Sequence, residues 1–201
     1  NGMAAKNAAE KIKSRMAEYL AAEAQIKPEA IAFEDGMVIV GANSYDFAEA
    51  VRRCYMGRIS LSATGFYSTP KVHWDPKTFK GRPFYYFAYG AACSEVALDL
   101  LTGENRILRA DILHDVGRSL NPAIDIGQIE GGYVQGAGWL TTEELVWDSK
   151  GKLLTHAPST YKIPACSDRP LDFRVQLFSE GENCEDTIHR SKAVGEPPLM
   201  L

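Results

Sequence analysis

One carboxylate near the end of the chain has the setting that a general base requires. Glu196 is the glutamate of the segment GEPP. The prolines fix their own φ angles, a residue before proline is pushed towards extended geometry, and glycine adopts conformations closed to other residues. A carboxylate on so stiff a backbone is readily held within hydrogen-bond reach of a proton. Three apolar neighbours are expected to shield it from water: Val194, Leu199 and Met200.

A structural role for Glu196 is the alternative. Proline is favoured in the first turn of a helix, so a helix that begins at Pro197 would place Glu196 at its positive end. Lys192, four residues earlier, is expected to form an ion pair rather than a Schiff base. The residue pattern alone leaves the base and the cap open.

A second segment combines glycines with a helical pattern. Asn121 before Pro122 is a favourable N-cap, and apolar residues then recur at helical spacing as far as Leu140. Each interior glycine costs about 0.5–1 kcal/mol relative to alanine. Either a closely packed neighbour or a flat cofactor against bare backbone would offset that cost. The glycines are Gly127, Gly131, Gly132, Gly136 and Gly138.

Two amides, Gln128 and Gln135, lie on roughly one face of this helix. An amide offers a ligand both a donor and an acceptor. A side chain that faces solvent or is buried without a ligand is the alternative for each of them.

The other reactive side chains form no recognisable site. The four histidines lack the spacings typical of metal ligands, and no serine lies in a GxSxG context. The four cysteines are too dispersed for zinc or iron–sulfur ligation and are expected to be free thiols. No metal-ligating residue is therefore assigned.

Charge and hydropathy argue against two kinds of partner. The net charge is -4 and no basic cluster is present, which disfavours nucleic acid. No apolar run approaches the roughly 18 residues that cross a bilayer, which disfavours a membrane partner.

The remaining pattern alternates between hairpins and helices. A helix is predicted over residues 5–20 and another from a Ser44 N-cap to Gly57, with hairpins about three turns and strands over two further segments. This pattern predicts an α+β fold, with antiparallel hairpins packed with several helices including the glycine-rich one. The turns are DG, LTGEN and SKG, and the strands are ISLSATGFYS and DFRVQLFS.

Four segments together resemble the molybdenum-binding part of xanthine dehydrogenases, in the molybdenum hydroxylase family. The similarity is dense from about Arg58 to Leu201 and looser before that. The segments are SLSATGFY, the run from YGAACSEV to TEELVW, APSTYKIPA and SKAVGEPP. The implied fold is that of a molybdenum-cofactor-binding domain.

The resemblance implies oxidation of hypoxanthine and xanthine to urate, with water as the oxygen source. A molybdenum–molybdopterin cofactor would take the electrons, and iron–sulfur clusters, FAD and NAD would belong to other parts of the enzyme. Glu196 is identified as the general base, and Gln128 and Gly195 as cofactor-binding residues. A hydroxylase for aldehydes or other N-heterocycles, and a non-catalytic module that binds a partner subunit, are the alternatives.

The chain ends suggest a truncated domain. Residues 1–201 are expected to be the carboxyl-terminal part of a molybdopterin-binding domain, with a possible subdivision near residue 57 that is not a separate domain. Residues that clamp the substrate are expected upstream. Such a piece is expected to be cytoplasmic, inactive alone and prone to self-association through exposed apolar surface.

Overall fold

The computed structural model describes residues 1–201 and divides into two compact units, Asn1–Pro70 and Lys71–Leu201. Each unit has its own buried cluster of apolar side chains. The division falls at Pro70, and the possible subdivision near residue 57 stays a prediction. That residues 1–201 are part of one larger domain stays a prediction.

The first unit is built from helices and a small antiparallel sheet of order β1-β2-β3. Asp35 and Gly36 both have positive φ, which confirms the tight turn predicted between β1 and β2. The elements are α1 (Gly2–Ala24), a 3₁₀ helix (Pro28–Ala30), β1 (Ile31–Glu34), β2 (Met37–Val40), β3 (Asn43–Asp46) and α2 (Phe47–Met56).

The core of this unit lies between its helices and β2. Leu20 of α1, Val38 of β2 and Cys54 of α2 are fully buried within it. Burial raises the pKa of the Cys54 thiol, which keeps it protonated. All four cysteines are free, as the sequence predicts.

The predicted strand ISLSATGFYS is wrong. Its backbone carbonyl groups accept hydrogen bonds from side chains of α1 and not from another strand. Lys11 donates to the Thr64 carbonyl at 2.9 Å, and Arg15 donates to the Ser62 carbonyl at 2.9 Å. A Cβ at Gly65 would collide with the carbonyl oxygen of Ala4, so this segment lies directly against the helix.

The second unit centres on a three-stranded sheet of order β6-β7-β8. The long hairpin predicted about LTGEN is confirmed as the antiparallel pair β6–β7, whereas β8 runs parallel to β7. The elements are β4 (His73–Asp75), β5 (Lys80–Arg82), β6 (Gly90–Leu98), β7 (Asn105–His114), α3 (Pro122–Thr141), β8 (Asp172–Leu177) and 3₁₀ helices at Cys166–Asp168, Ile188–Arg190 and Pro197–Met200.

The glycine-rich helix is α3, and it covers one face of the sheet. The Asn121 side chain accepts a hydrogen bond from the Ile124 amide at 3.3 Å, which confirms the predicted N-cap. Ile129 and Tyr133 of α3 are buried against Ile112 of β7. The Tyr133 hydroxyl also lies 2.6 Å from the Ser94 hydroxyl of β6, which ties the helix to the sheet.

Two smaller expectations are corrected. Asp46, not Ser44, caps α2: its carboxylate accepts from the Ala48 amide at 2.8 Å, while Ser44 lies in β3 and pairs with Ile39 of β2. The hairpin predicted about the SKG turn is reduced to one bridge, between Trp147 and Leu153.

The imidazole ring of His114, the last residue of β7, is buried without a hydrogen-bond partner. His114 is 1% exposed, and neither of its ring nitrogens has a hydrogen-bond partner. Its pKa is lowered, mainly because burial penalises the imidazolium; Lys192 adds to this effect and Asp115 opposes it. The folded state therefore favours the neutral ring.

We expect the second unit to lose stability as the pH falls below about 6.5, the pKa of histidine in the unfolded chain. The unfolded chain then binds more protons than the folded chain, so stability is complete above this pH and falls until the folded-state pKa is reached. All three tryptophans lie after Lys71, so tryptophan fluorescence reports this unit alone.

The test compares urea unfolding of the wild type and His114→Leu at pH 7 and pH 5. The loss for the wild type should exceed that for the variant, by up to about 1.4 kcal/mol per pH unit. Equal losses in the two proteins would contradict a neutral, desolvated His114.

Candidate active site

Glu196 stands at the N-terminus of the 3₁₀ helix Pro197–Met200. Its backbone is in the α region, with φ -99° and ψ -37°, so the predicted extended geometry is wrong. The Leu199 amide donates to the Glu196 carbonyl at 3.0 Å, and this turn holds the unfavourable pre-proline conformation. The cap alternative is correct for the position of Glu196, yet its side chain accepts no capping hydrogen bond.

The Glu196 carboxylate is exposed and is not engaged in any ion pair or hydrogen bond of the described residues. The expected apolar shield is wrong as well. Met200 is 85% exposed, and Val194 packs towards the core of the second unit instead. The carboxylate is therefore free to accept a proton from a ligand.

The 3₁₀ helix packs directly onto the backbone of α3. A Cβ at Gly136 would collide with the Leu199 carbonyl oxygen, and a Cβ at Gly132 would lie 2.9 Å from Pro198 Cβ. Both glycines are buried. For these two positions, a closely packed neighbour is the correct explanation of the glycine-rich pattern.

Two other glycines of α3 have a different setting. Gly127 and Gly131 are exposed, and a Cβ built at either position would meet nothing within 4 Å. Packing within this chain therefore does not account for them. They leave a bare strip of backbone on the open side of the helix, where a flat group has room to approach.

Gln128 brings this open side next to Glu196. A Cβ at Gly195 would lie 3.1 Å from Gln128 Oε1, so the amide lies beside the residue that precedes Glu196. The structure thus brings together the three predicted site residues, Glu196, Gly195 and Gln128. Gln135 is also exposed on α3, without a corresponding contact to the GEPP segment.

The backbone that leads to Glu196 is anchored at three consecutive residues. Ser191 bridges to Gly117, and the Lys192 amide donates to the Val116 carbonyl at 2.8 Å. The Ala193 amide donates to the Tyr86 hydroxyl at 2.9 Å.

Lys192 forms an ion pair, as the sequence predicts, and its partner is Asp115 at 2.5 Å. Sequence reasoning missed Asp115 and Tyr86. The only sequence signal for Asp115 is that a carboxylate directly follows the predicted strand that became β7. Tyr86 lies among the aromatic residues 84–87, and the sequence does not distinguish it from them.

A groove of about 680 Å³ lies elsewhere on the second unit, along the carboxyl-terminal half of α3. Tyr133, Thr141 and Asp168 are among its lining residues, whereas Glu196 and Gln128 are not. The groove and the Glu196 region are therefore separate features of the surface. No helix of the structure combines the length and the apolar character needed to cross a bilayer.

Residues 1–170 match a family model described as "Molybdopterin cofactor-binding domain". The chain belongs to this family. The match ends before Glu196, so it covers Gln128 but not the GEPP segment.

Two curated relatives and one solved structure extend this finding. A xanthine dehydrogenase/oxidase of Felis catus is 56% identical over 151 residues, which are 75% of this chain and 11% of that protein. A xanthine dehydrogenase of Dictyostelium discoideum is 51% identical over 158 residues, 77% of this chain and 12% of that protein. The quinoline 2-oxidoreductase from Pseudomonas putida 86 superposes with a TM-score of 0.67 at 25% identity, over 96% of this chain and 24% of that chain.

These comparisons confirm the α+β fold and the resemblance to the molybdenum-binding region of xanthine dehydrogenases. The chain spans only 11–12% of the length of these two curated relatives.

Gly131 and Gly136 of α3 provide a matched test of the packing. Gly136→Ala should destabilise the second unit by about 1–3 kcal/mol, because the methyl group collides with the Leu199 carbonyl. Gly131→Ala should stabilise it by about 0.5–1 kcal/mol, because the site is open and alanine favours the helix.

Urea unfolding followed by tryptophan fluorescence measures both changes. Similar effects of the two substitutions would show that the contact between α3 and Pro197–Met200 is not the reason for these glycines.

Proposed function

We propose that this chain is part of a molybdenum hydroxylase that oxidises hypoxanthine and xanthine to urate, with Glu196 as its general base. The observation that carries the proposal is an uncommitted carboxylate on an anchored backbone, beside the exposed amide of Gln128. Identities of 51–56% to xanthine dehydrogenases favour purines over the aldehydes or other N-heterocycles of the alternative.

The open side of α3 fits a pterin cofactor. Bare backbone at Gly127 and Gly131 admits a flat ring, and Gln128 offers it both a donor and an acceptor. Gly195 has no side chain to separate that ring from the Gln128 amide. When bound, a molybdenum–molybdopterin cofactor would supply the two-electron oxidation.

Glu196 would then act on a proton. Its carboxylate oxygen accepts the proton of the oxygen nucleophile derived from water, so that this oxygen can attack the purine carbon. The anchored backbone on both sides of Glu196 keeps the carboxylate in place while it does so.

The rest of the enzyme would complete the reaction. Iron–sulfur clusters, FAD and NAD belong, in this proposal, to other domains or subunits, and residues that clamp the purine belong to other parts of the molybdenum-binding portion. We place the enzyme in the cytoplasm, where the free thiols of this chain remain reduced.

The base is tested by Glu196→Gln in the complete enzyme. We expect kcat for xanthine to fall by about 10²–10⁴-fold, because the amide has a similar shape but accepts no proton. The molybdenum content, measured by elemental mass spectrometry, should stay that of the wild type.

Glu182→Gln is the matched control, since Glu182 is also an exposed glutamate of the same unit and lies outside the site described above. Substantial turnover by Glu196→Gln would rule out the base assignment.

The cofactor contact is tested by Gln128→Ala in the same enzyme. The loss of a donor and an acceptor beside Gly195 should lower the molybdenum content several-fold. Gln135→Ala, two turns along α3, should leave it unchanged. Equal molybdenum content in both variants would show that Gln128 does not hold the cofactor.

A further inference from the structure

Lys192 has a buried side chain and does not present its charge to solvent. Its side chain is 8% exposed, and that of its partner Asp115 is 13% exposed. The Lys192 ammonium also lies 5.4 Å from the centre of the Tyr89 ring. A charge placed there does not face a ligand, and removing an ion pair from water is costly enough that such a pair is weak evidence for stability. The pair does fix geometry, because it joins Lys192 to the residue that directly follows β7.

The geometry of Asp115 is closely determined. One carboxylate oxygen accepts from Lys192 Nζ, and the other accepts from the Gly117 amide at 2.7 Å. A Cβ at Gly181 would lie 2.6 Å from that second oxygen, so Gly181 approaches the carboxylate closely and leaves no room for a side chain there. The Asp115 amide in turn donates to the Tyr89 carbonyl at 2.8 Å. Asp115 is thus a fixed point at the end of β7.

Lys192 connects Asp115 to the chain segment that carries Glu196. It lies four residues before Glu196, and its own amide is bonded to Val116, next to Asp115. The Tyr86 hydroxyl holds the following amide, that of Ala193. Beyond Glu196, Pro198 and Leu199 are seated on glycines of α3. The short span between these anchors contains Glu196.

We propose that Lys192 is a positioning residue, whose buried ion pair with Asp115 fixes the backbone that presents the Glu196 carboxylate. The inference rests on the proposed function, because it assigns the ion pair to the placement of the general base. The ammonium acts on Glu196 through the backbone of residues 193–195 and makes no contact with the carboxylate.

The experiment uses the complete enzyme and two variants. Lys192→Met leaves Asp115 as an unpaired buried charge and is expected to impair folding. The neutral double variant, Asp115→Asn with Lys192→Met, removes both charges and retains an acceptor for the Gly117 amide, so it should fold. The measurements are kcat and KM for xanthine, molybdenum content, and hydrogen exchange of the backbone amides of residues 193–196.

For the double variant, we expect kcat per bound molybdenum to fall by about 10–100-fold, the effect of a misplacement of about 1 Å. KM should change less than about twofold, and exchange of the 193–196 amides should rise at least about tenfold. Lys71→Met is the matched control: it breaks the ion pair of a solvent-exposed lysine with Glu185, at 2.7 Å, and should change neither kcat nor this exchange.

A double variant with wild-type kcat and wild-type exchange would overturn the proposal, and so would a loss of activity that only follows a loss of molybdenum. The Glu196→Gln enzyme is measured alongside. If it retains activity, the proposed function fails and the base has no role to be positioned. The exchange result then still decides, by itself, whether the ion pair fixes the segment.

Discussion

The approach of the Pro197–Met200 helix to α3 is the constraint on which the site depends. Two helical backbones come into direct contact here because Gly132 and Gly136 have no side chains. The burial of Pro198 offsets the intrinsic free-energy cost of these glycines in a helix. The same contact fixes the position of the turn that begins at Glu196. A bulkier residue at either position would push the turn, and its carboxylate, away from α3.

The chain is restrained on both sides of Glu196, but by two different kinds of interaction. Close packing restrains the chain after Glu196, whereas directional polar contacts restrain the chain before it. Asp115 and Lys192 tie this segment to the end of β7, and Tyr86 adds a hydrogen bond to Ala193. Because the two anchors lie on either side of a few residues, Glu196 is restrained without any contact to its own carboxylate. A base needs this combination, since a carboxylate engaged in an ion pair would be less available to accept a proton.

The sequence predicts the elements more reliably than their partners. Periodicity and turn residues locate α1, α3 and the β6–β7 hairpin, because these elements satisfy their backbone groups locally or with a neighbour in sequence. The segment after Gly57 is predicted as a strand but pairs with no other strand. Its carbonyl groups accept hydrogen bonds from Lys11 and Arg15, which are far away in sequence. Propensity likewise favours Ser44 as a cap, but pairing with β2 places it within β3.

The candidate site shows the same division. Motifs and the resemblance identify Glu196, Gly195 and Gln128, but tertiary packing decides the backbone conformation and the exposure of Glu196. The local rule for residues before proline is overridden by the turn that seats on α3. The glycine pattern is ambiguous in sequence, and the structure divides it. Gly132 and Gly136 are buried against Pro198 and Leu199, and Gly138 is buried against Pro164, whereas a Cβ at the exposed Gly127 or Gly131 would contact nothing.

The proposed function requires the open side of α3 and the Glu196 carboxylate to face one bound cofactor. A crystal structure of the complete enzyme with its cofactor tests this most directly. We expect the pterin to lie against Gly127 and Gly131, within hydrogen-bond reach of Gln128. A Glu196 oxygen should be directed at the substrate position, at about 3 Å from the group that it deprotonates. A cofactor bound instead in the groove along the carboxyl-terminal half of α3, or a Glu196 side chain directed away from the cofactor, would rule out this arrangement.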